Sequence, residues 1–167
     1  WIVALPSRRG RGGSEGLYDE GFNPDRTRGY TCDHFISLAG ADRALRDIDA
    51  MTKAIIELPV VDKARVVVGG QSRGGVLAVA FAAQRPELFK GVVNFVGGWM
   101  GTGCPTATSI NQDLFKRAAA SPLPSIWLYG ADDPFYSISH SRSNFATFEA
   151  AGGKGEFVEY PKPAHTP

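Results

Sequence analysis

The stretch from Arg65 to Gln84 limits the possible folds more than any other part of the sequence. A β-branched run, Arg65-Val66-Val67-Val68, leads into the pentapeptide Gly70-Gln71-Ser72-Arg73-Gly74. The small and apolar residues from Val76 to Gln84 follow and predict a helix. A strand that turns into a helix at a Gly-x-Ser-x-Gly pattern is typical of an α/β architecture that holds the serine on the turn between them.

Strands and helices are predicted to alternate along the rest of the chain. Apolar runs predict strands at 1–5, 91–96, 125–129 and 156–160, and helical patterns cover 39–58, 111–120 and 143–151. The strands are apolar throughout, as expected when both faces of a sheet are covered. The sequence therefore predicts an α/β fold, a mainly parallel sheet with helices on both faces, in a single domain over residues 1–167.

Composition excludes several classes of partner. Eighteen Lys and Arg residues face 17 Asp and Glu residues, so no strongly charged partner is predicted. The Arg- and Gly-rich segment 8–13 is a single instance in a neutral chain, and we expect it to form a turn rather than to bind nucleic acid. No apolar run reaches the roughly 20 residues that span a bilayer. The sequence does not predict a compartment.

The cysteines and histidines predict neither a disulfide scaffold nor a metal site. Cys32 and Cys104 could pair in an oxidising compartment, but two unpaired thiols are the simpler expectation. The three histidines form no cluster with the spacing of metal ligands. No metal and no cofactor are therefore expected.

The turn around Ser72 predicts a nucleophilic serine. A tight turn lifts the hydroxyl above the sheet, and the following helix directs its positive N-terminal end at the site. Gly70 and Gly74 lack a Cβ, which allows neighbouring elements to approach closely. The backbone N–H of Arg73 would then point to where a tetrahedral oxyanion forms.

A serine hydroxyl also needs a base and an acid that orients this base. For this motif the chain order is serine, acid, histidine. His34 precedes Ser72 and fails that order, and a solvent-exposed or capping role is predicted for His140. His165 follows the last strand and is the predicted base. The turn after strand 125–129 offers two adjacent acids, Asp132 and Asp133, of which only one can face the histidine.

These residues resemble the α/β-hydrolase superfamily, in its dienelactone hydrolase-like branch and the related esterases and peptidases. The resemblance covers nearly the whole chain. Residues 70–75 match the serine turn, and residues 129–134 resemble the family's Gly-x-x-Asp acid turn, which implies Asp133 rather than Asp132. Residues 9–14 resemble the Arg-Gly-x-Gly-x-Ser turn that follows the fourth strand in these enzymes.

The resemblance also implies that the fold is incomplete at both ends. If residues 1–5 are the fourth strand, then the first three strands and the loop that donates the second oxyanion N–H are missing, as is the helix after His165. We expect them to come from a longer protein, a second chain or a segment outside these residues.

The predicted function is a serine hydrolase that cleaves a carboxylic ester or related acyl bond of a small molecule through an acyl-enzyme. Ser72, His165 and Asp133 would form its triad. Trp99 and Tyr136 are candidate substrate contacts, and Asn111 could reach the same cleft. A prolyl oligopeptidase-type peptidase and a non-catalytic binding module of the same fold are the alternatives.

Overall fold

A computed structural model describes residues 2–162 of the chain. These residues belong to two compact units, Trp1–Lys63 and Ala64–Pro167, and each unit is described here by itself. The predicted base, His165, lies outside the described residues. Within residues 2–162, no helix is both long and apolar enough to cross a membrane.

The first unit is built around one long helix, α1, His34–Ile56. The Asp33 carboxylate caps its first turn by accepting a hydrogen bond from the Ile36 N–H at 2.8 Å. The helix begins five residues before the predicted start, because this cap and its first turn lie outside the apolar repeat. Its end at Ile56, shortly before Pro59, agrees with the helix stop read from the sequence.

The N-terminal run is not a strand, so that prediction is wrong. Residues 2–5 have no regular secondary structure, and the side chains of Ile2, Val3 and Leu5 are 65%, 78% and 89% exposed. A strand needs a neighbouring backbone to complete its hydrogen bonds, and no strand among the described residues pairs with this run.

The arginine-rich segment that follows is a turn held by ion pairs, as predicted. Arg8 pairs with the buried carboxylate of Glu20. The guanidinium of Arg9 binds both carboxylate oxygens of Asp47 on α1, with Nε at 2.8 and 3.0 Å. The side chains of Arg8 and Arg9 are therefore both engaged in ion pairs within the first unit.

The second unit is a four-stranded parallel sheet with three helices. Its elements are β1 Val68–Gln71, α2 Arg73–Gln84, β2 Val92–Phe95, α3 Ala107–Ala118, β3 Ser125–Gly130, α4 Ile138–Ala150 and β4 Gly155–Tyr160. The strands are arranged in the order β1-β2-β3-β4, and every pair is parallel. The predicted α/β class with a parallel sheet is confirmed.

Helices α2, α3 and α4 pack against one face of this sheet, the face that carries Asn94 and Trp127. The Trp127 ring is fully buried, and it contacts Phe115 of α3 at 4.6 Å and Phe148 of α4 at 5.0 Å between ring centroids. Aromatic packing of this kind fixes both helices against β3.

Strand β1 lies three residues later than the β-branched run suggested. It comprises Val68, Gly69, Gly70 and Gln71, so it includes two glycines and the first residues of the Gly-x-Ser-x-Gly pattern. The low strand propensity of the glycines is overridden because β1 pairs with β2 in register from Val68–Val92 to Gln71–Phe95.

The expectation of two unpaired thiols is also wrong. Cys32 and Cys104 are both disulfide-bonded. Two cysteines and their spacing alone do not distinguish the two states, because pairing depends on backbone proximity.

Candidate active site

Ser72 occupies a strained backbone conformation between β1 and α2. Its φ is 54° and its ψ is −122°, a region that residues other than glycine rarely adopt. Its N–H continues the sheet by donating to the Phe95 carbonyl at 2.9 Å, and α2 begins at the next residue. This is the strand–turn–helix geometry that the sequence predicted for a nucleophilic serine.

Gly70 and Gly75 permit the turn, whereas the sequence indicated Gly70 and Gly74. A Cβ on Gly70 would lie 2.9 Å from Gly74 Cα and closer still to the Gly74 carbonyl. A Cβ on Gly75 would lie 2.8 Å from Gly97 Cα. Around Gly74, by contrast, no described atom other than its chain neighbours and the backbone of α2 lies within 4 Å of an added Cβ. Close approach therefore explains Gly70 and Gly75, and the reason given for Gly74 is wrong.

Arg73 stands at the start of α2, where backbone N–H groups have no acceptor within the helix. Its side chain turns toward the residues after β2. The guanidinium lies 4.3 Å over the Trp99 ring, and Nε donates to the Trp99 carbonyl at 3.1 Å. The role of the Arg73 backbone N–H as an oxyanion donor remains a prediction.

Trp99 is almost entirely buried, with 2% of its surface exposed. Its ring supports the Arg73 guanidinium and therefore contributes to the packing beside Ser72. The sequence indicated this residue as a candidate substrate contact. Its burial favours packing, and a contact with substrate stays a prediction.

The two adjacent acids after β3 have different environments. Asp133 is buried, whereas Asp132 is exposed. The Oδ1 atom of Asp133 accepts hydrogen bonds from the N–H groups of Phe135 and Tyr136, both at 2.9 Å. A carboxylate fixed in this way is suited to orient a histidine, although its partner in the prediction, His165, is outside the described residues.

Tyr136 connects the acid turn with the serine. Its hydroxyl donates to the Gly98 carbonyl at 2.9 Å and lies 3.4 Å from Ser72 Oγ. Burial raises the pKa of this phenol, so the hydroxyl keeps its proton at neutral pH. The structure thus brings Ser72, Tyr136 and Asp133 together through direct contacts.

His140 and Asn111 form a contact that the sequence did not predict. His140 is the third residue of α4, and its Nε2 lies 2.9 Å from Asn111 Nδ2 on α3. The amide is the donor, so the imidazole proton is assigned to Nδ1. Partial burial lowers the pKa of His140. The predicted solvent-exposed or capping role is therefore wrong, and only helix packing could have revealed the pair.

A cleft of about 500 Å³ lies at the carboxyl ends of the strands in this unit, a size common for small-molecule sites. Its lining is mainly apolar and aromatic, and consists of Gln71, Phe95, Val96, Leu128, Tyr129, Tyr160 and Lys162. Gln71 directly precedes Ser72 in the chain. Among residues 2–162, no three potential ligand side chains are grouped closely enough to bind a metal ion.

Several solved structures share the fold of this chain. SOBER1 from Arabidopsis thaliana aligns at 20% identity with a TM-score of 0.57, over 84% of this chain and 61% of its own. A putative dienelactone hydrolase from Klebsiella pneumoniae aligns at 23% identity and a TM-score of 0.54, over 72% of this chain and 48% of its own. An acylaminoacyl peptidase from Pyrococcus horikoshii aligns at 14% identity and a TM-score of 0.58, over 73% of this chain and 23% of its own.

These identities show the fold, and this chain spans about three fifths of the length of SOBER1. A comparison with curated proteins found no match. Residues 26–116, more than half of the chain, match the prolyl oligopeptidase family. With the parallel sheet and the strained serine turn, that match identifies the chain as a member of the prolyl oligopeptidase family of serine hydrolases, within the α/β-hydrolase superfamily.

Proposed function

We propose that Ser72 is the nucleophile of an enzyme that cleaves a carboxylic ester or a related acyl bond of a small molecule. The observation that carries this proposal is the Ser72 backbone, with φ 54° and ψ −122° at the junction of β1 and α2. Such strain costs about 1–3 kcal/mol, and it is retained chiefly where it serves a site.

The proposed reaction follows the two steps of acyl transfer. Ser72 Oγ attacks the substrate carbonyl while His165 takes its proton, and the leaving group then departs with that proton. The backbone N–H of Arg73 stabilises the oxyanion, and Asp133 orients the imidazole. Water releases the acyl group by the same route, so no cofactor takes part.

A peptidase is the second candidate. The match of residues 26–116 to the prolyl oligopeptidase family favours it, and both substrate classes pass through the same acyl-enzyme. The ester remains the first choice because a putative dienelactone hydrolase, whose name denotes the hydrolysis of a cyclic ester, shares this fold.

A fluorophosphonate probe on the full-length protein tests the nucleophile. We expect labelling of Ser72, identified by peptide mass mapping, and its loss in Ser72→Ala. The control variant is Ser109→Ala, because Ser109 is an exposed serine on α3 whose hydroxyl donates to the Thr106 carbonyl at 3.0 Å. A folded protein that is not labelled at Ser72 would contradict the proposal and favour a non-catalytic module.

Substrate choice requires a second experiment. We expect short-chain p-nitrophenyl esters to be hydrolysed with a higher kcat/KM than peptide p-nitroanilides. The reverse order, abolished by Ser72→Ala, would replace the esterase proposal with the peptidase.

A further inference from the structure

Asn111 is a fully buried amide that uses its whole hydrogen-bonding capacity. Its Oδ1 accepts from the N–H groups of Trp99 at 2.7 Å and Met100 at 3.2 Å. Its Nδ2 donates to the Met100 carbonyl at 2.8 Å and to His140 Nε2 at 2.9 Å. If the amide oxygen and nitrogen were exchanged, the NH₂ group would face the Trp99 and Met100 N–H groups, and the oxygen would face the Met100 carbonyl. The partners therefore determine the orientation of the amide.

Three of these bonds hold one short segment, Gly97-Gly98-Trp99-Met100, which we call the 97–100 segment. It follows β2 and has no helix or strand of its own. Backbone groups outside regular structure need other partners when they are buried. Asn111 supplies three of them from α3, a helix that is itself fixed by packing against β3.

The opposite side of the 97–100 segment contacts the nucleophile. The Gly98 N–H donates to the Ser72 carbonyl at 3.2 Å. The Trp99 carbonyl accepts from Arg73 Nε at 3.1 Å, and the Trp99 ring lies under the same guanidinium. The segment therefore joins Asn111 to both residues of the strained turn.

We propose that Asn111 is a positioning residue for Ser72, which acts by fixing the 97–100 segment against the strained turn. The strained conformation of Ser72 persists only while its surroundings hold it. The Gly98 and Trp99 contacts hold it from one side, and Asn111 holds the segment that makes them. The effect on the reactivity of Ser72 rests on the proposed function. The coupling of Asn111 to Ser72 through the 97–100 segment does not.

Amide hydrogen exchange followed by NMR tests the structural coupling in the unsubstituted full-length protein. We expect the Trp99 and Met100 amides to exchange more slowly, by about 100-fold or more, than the amide of Gly103. Gly103 is an exposed residue of the same connection. Equal exchange rates would overturn the proposal without any variant.

Asn111→Asp tests the coupling to the nucleophile. It keeps an acceptor for the Trp99 and Met100 N–H groups but removes the donor to the Met100 carbonyl and to His140 Nε2. We expect exchange at the Gly98 amide, whose hydrogen bond goes to the Ser72 carbonyl, to rise about tenfold relative to the Trp127 amide in the sheet core. We expect kinact for the fluorophosphonate to fall about tenfold while KI stays within about threefold, because the chemical step is affected rather than binding.

The matched control is Gln112→Glu. It makes the same amide-to-carboxylate change one residue later, at a side chain that bonds Ser143 Oγ on α4 at 3.2 Å. Gly98 exchange and kinact should stay within about twofold there. A folded Asn111→Asp protein with unchanged Gly98 exchange and unchanged kinact would overturn the proposal. Absence of labelling in the unsubstituted protein would refute the proposed function instead, and the exchange rates would still decide the coupling.

Discussion

Gly70 and Gly74 are the two glycines of the pentapeptide around Ser72, and alanine should have opposite effects at the two positions. A Cβ at position 70 would lie 2.9 Å from Gly74 Cα, about 0.5 Å short of the 3.4 Å at which ordinary contact begins, and closer still to the Gly74 carbonyl. The atoms that it meets are backbone, so no side-chain rotation relieves the overlap. Overpacking costs about 1–3 kcal/mol where side chains can adjust. We expect Gly70→Ala to lower the free energy of unfolding by about 3 kcal/mol.

Gly74→Ala is the matched control, because position 74 is the second residue of α2 and, apart from its chain neighbours and the backbone of α2, no described atom lies within 4 Å of the added Cβ. Alanine is favoured over glycine in a helix by about 0.5–1 kcal/mol. The free energy of unfolding should therefore rise by about that amount. The two variants should differ by about 4 kcal/mol, which combines the overpacking cost and the helix gain.

Denaturant titration monitored by circular dichroism measures both values. The slope of the free energy against denaturant concentration should stay unchanged, so that midpoints can be compared directly. A Gly70→Ala protein within about 1 kcal/mol of the unsubstituted one would refute the packing argument. So would a Gly74→Ala protein that is less stable than Gly70→Ala.

Three further predictions concern the residues around Ser72. Asp133→Asn should lower kcat by about 10⁴-fold with little change in fold, whereas Asp132→Asn at the exposed neighbour should not; equal activities would refute the role of Asp133. Tyr136→Phe removes the bond to the buried Gly98 carbonyl, and should lower the free energy of unfolding by about 1–2 kcal/mol in a denaturant titration. The folded pKa of His140 lies below its unfolded value of about 6.5, so the unfolded state binds the proton more readily and stability falls as pH drops below about 6.5. His140→Gln should reduce that loss between pH 7 and pH 5, and an unchanged pH profile of the melting temperature would contradict it.

The sequence predicted the parts of the fold that depend on local pattern. Apolar runs located β2, β3 and β4 to within one residue at each end, because buried parallel strands are apolar throughout. The serine turn was predicted because Gly-x-Ser-x-Gly between a strand and a helix has a specific geometry. Helices α2 and α4 begin earlier than their apolar repeats, at Arg73 and Ile138, since their first turns are polar or glycine-rich.

The errors occur where an outcome depends on distant partners. Residues 1–5 have the composition of a strand, but strand formation depends on a neighbour that the local pattern does not contain. Gly75 rather than Gly74 makes the close approach, because the atom that it meets belongs to Gly97 in another connection. The contact between Asn111 and His140 depends on how α3 meets α4, which no spacing within either helix predicts.

The strand order β1-β2-β3-β4 follows the chain, and this has a consequence for how the protein is made. During synthesis, each strand can pair with its predecessor as soon as it leaves the ribosome, without waiting for a later segment. The residues of the serine turn and of the 97–100 segment are thus translated before β3, whereas the contacts of this segment with Tyr129 and Tyr136 form only afterwards. Asp133 follows only after β3, and β4 is added last. The nascent chain therefore carries Ser72, the proposed nucleophile, before it carries Asp133, the proposed acid, so we expect it to lack hydrolase activity until β3 and the turn after it have been made.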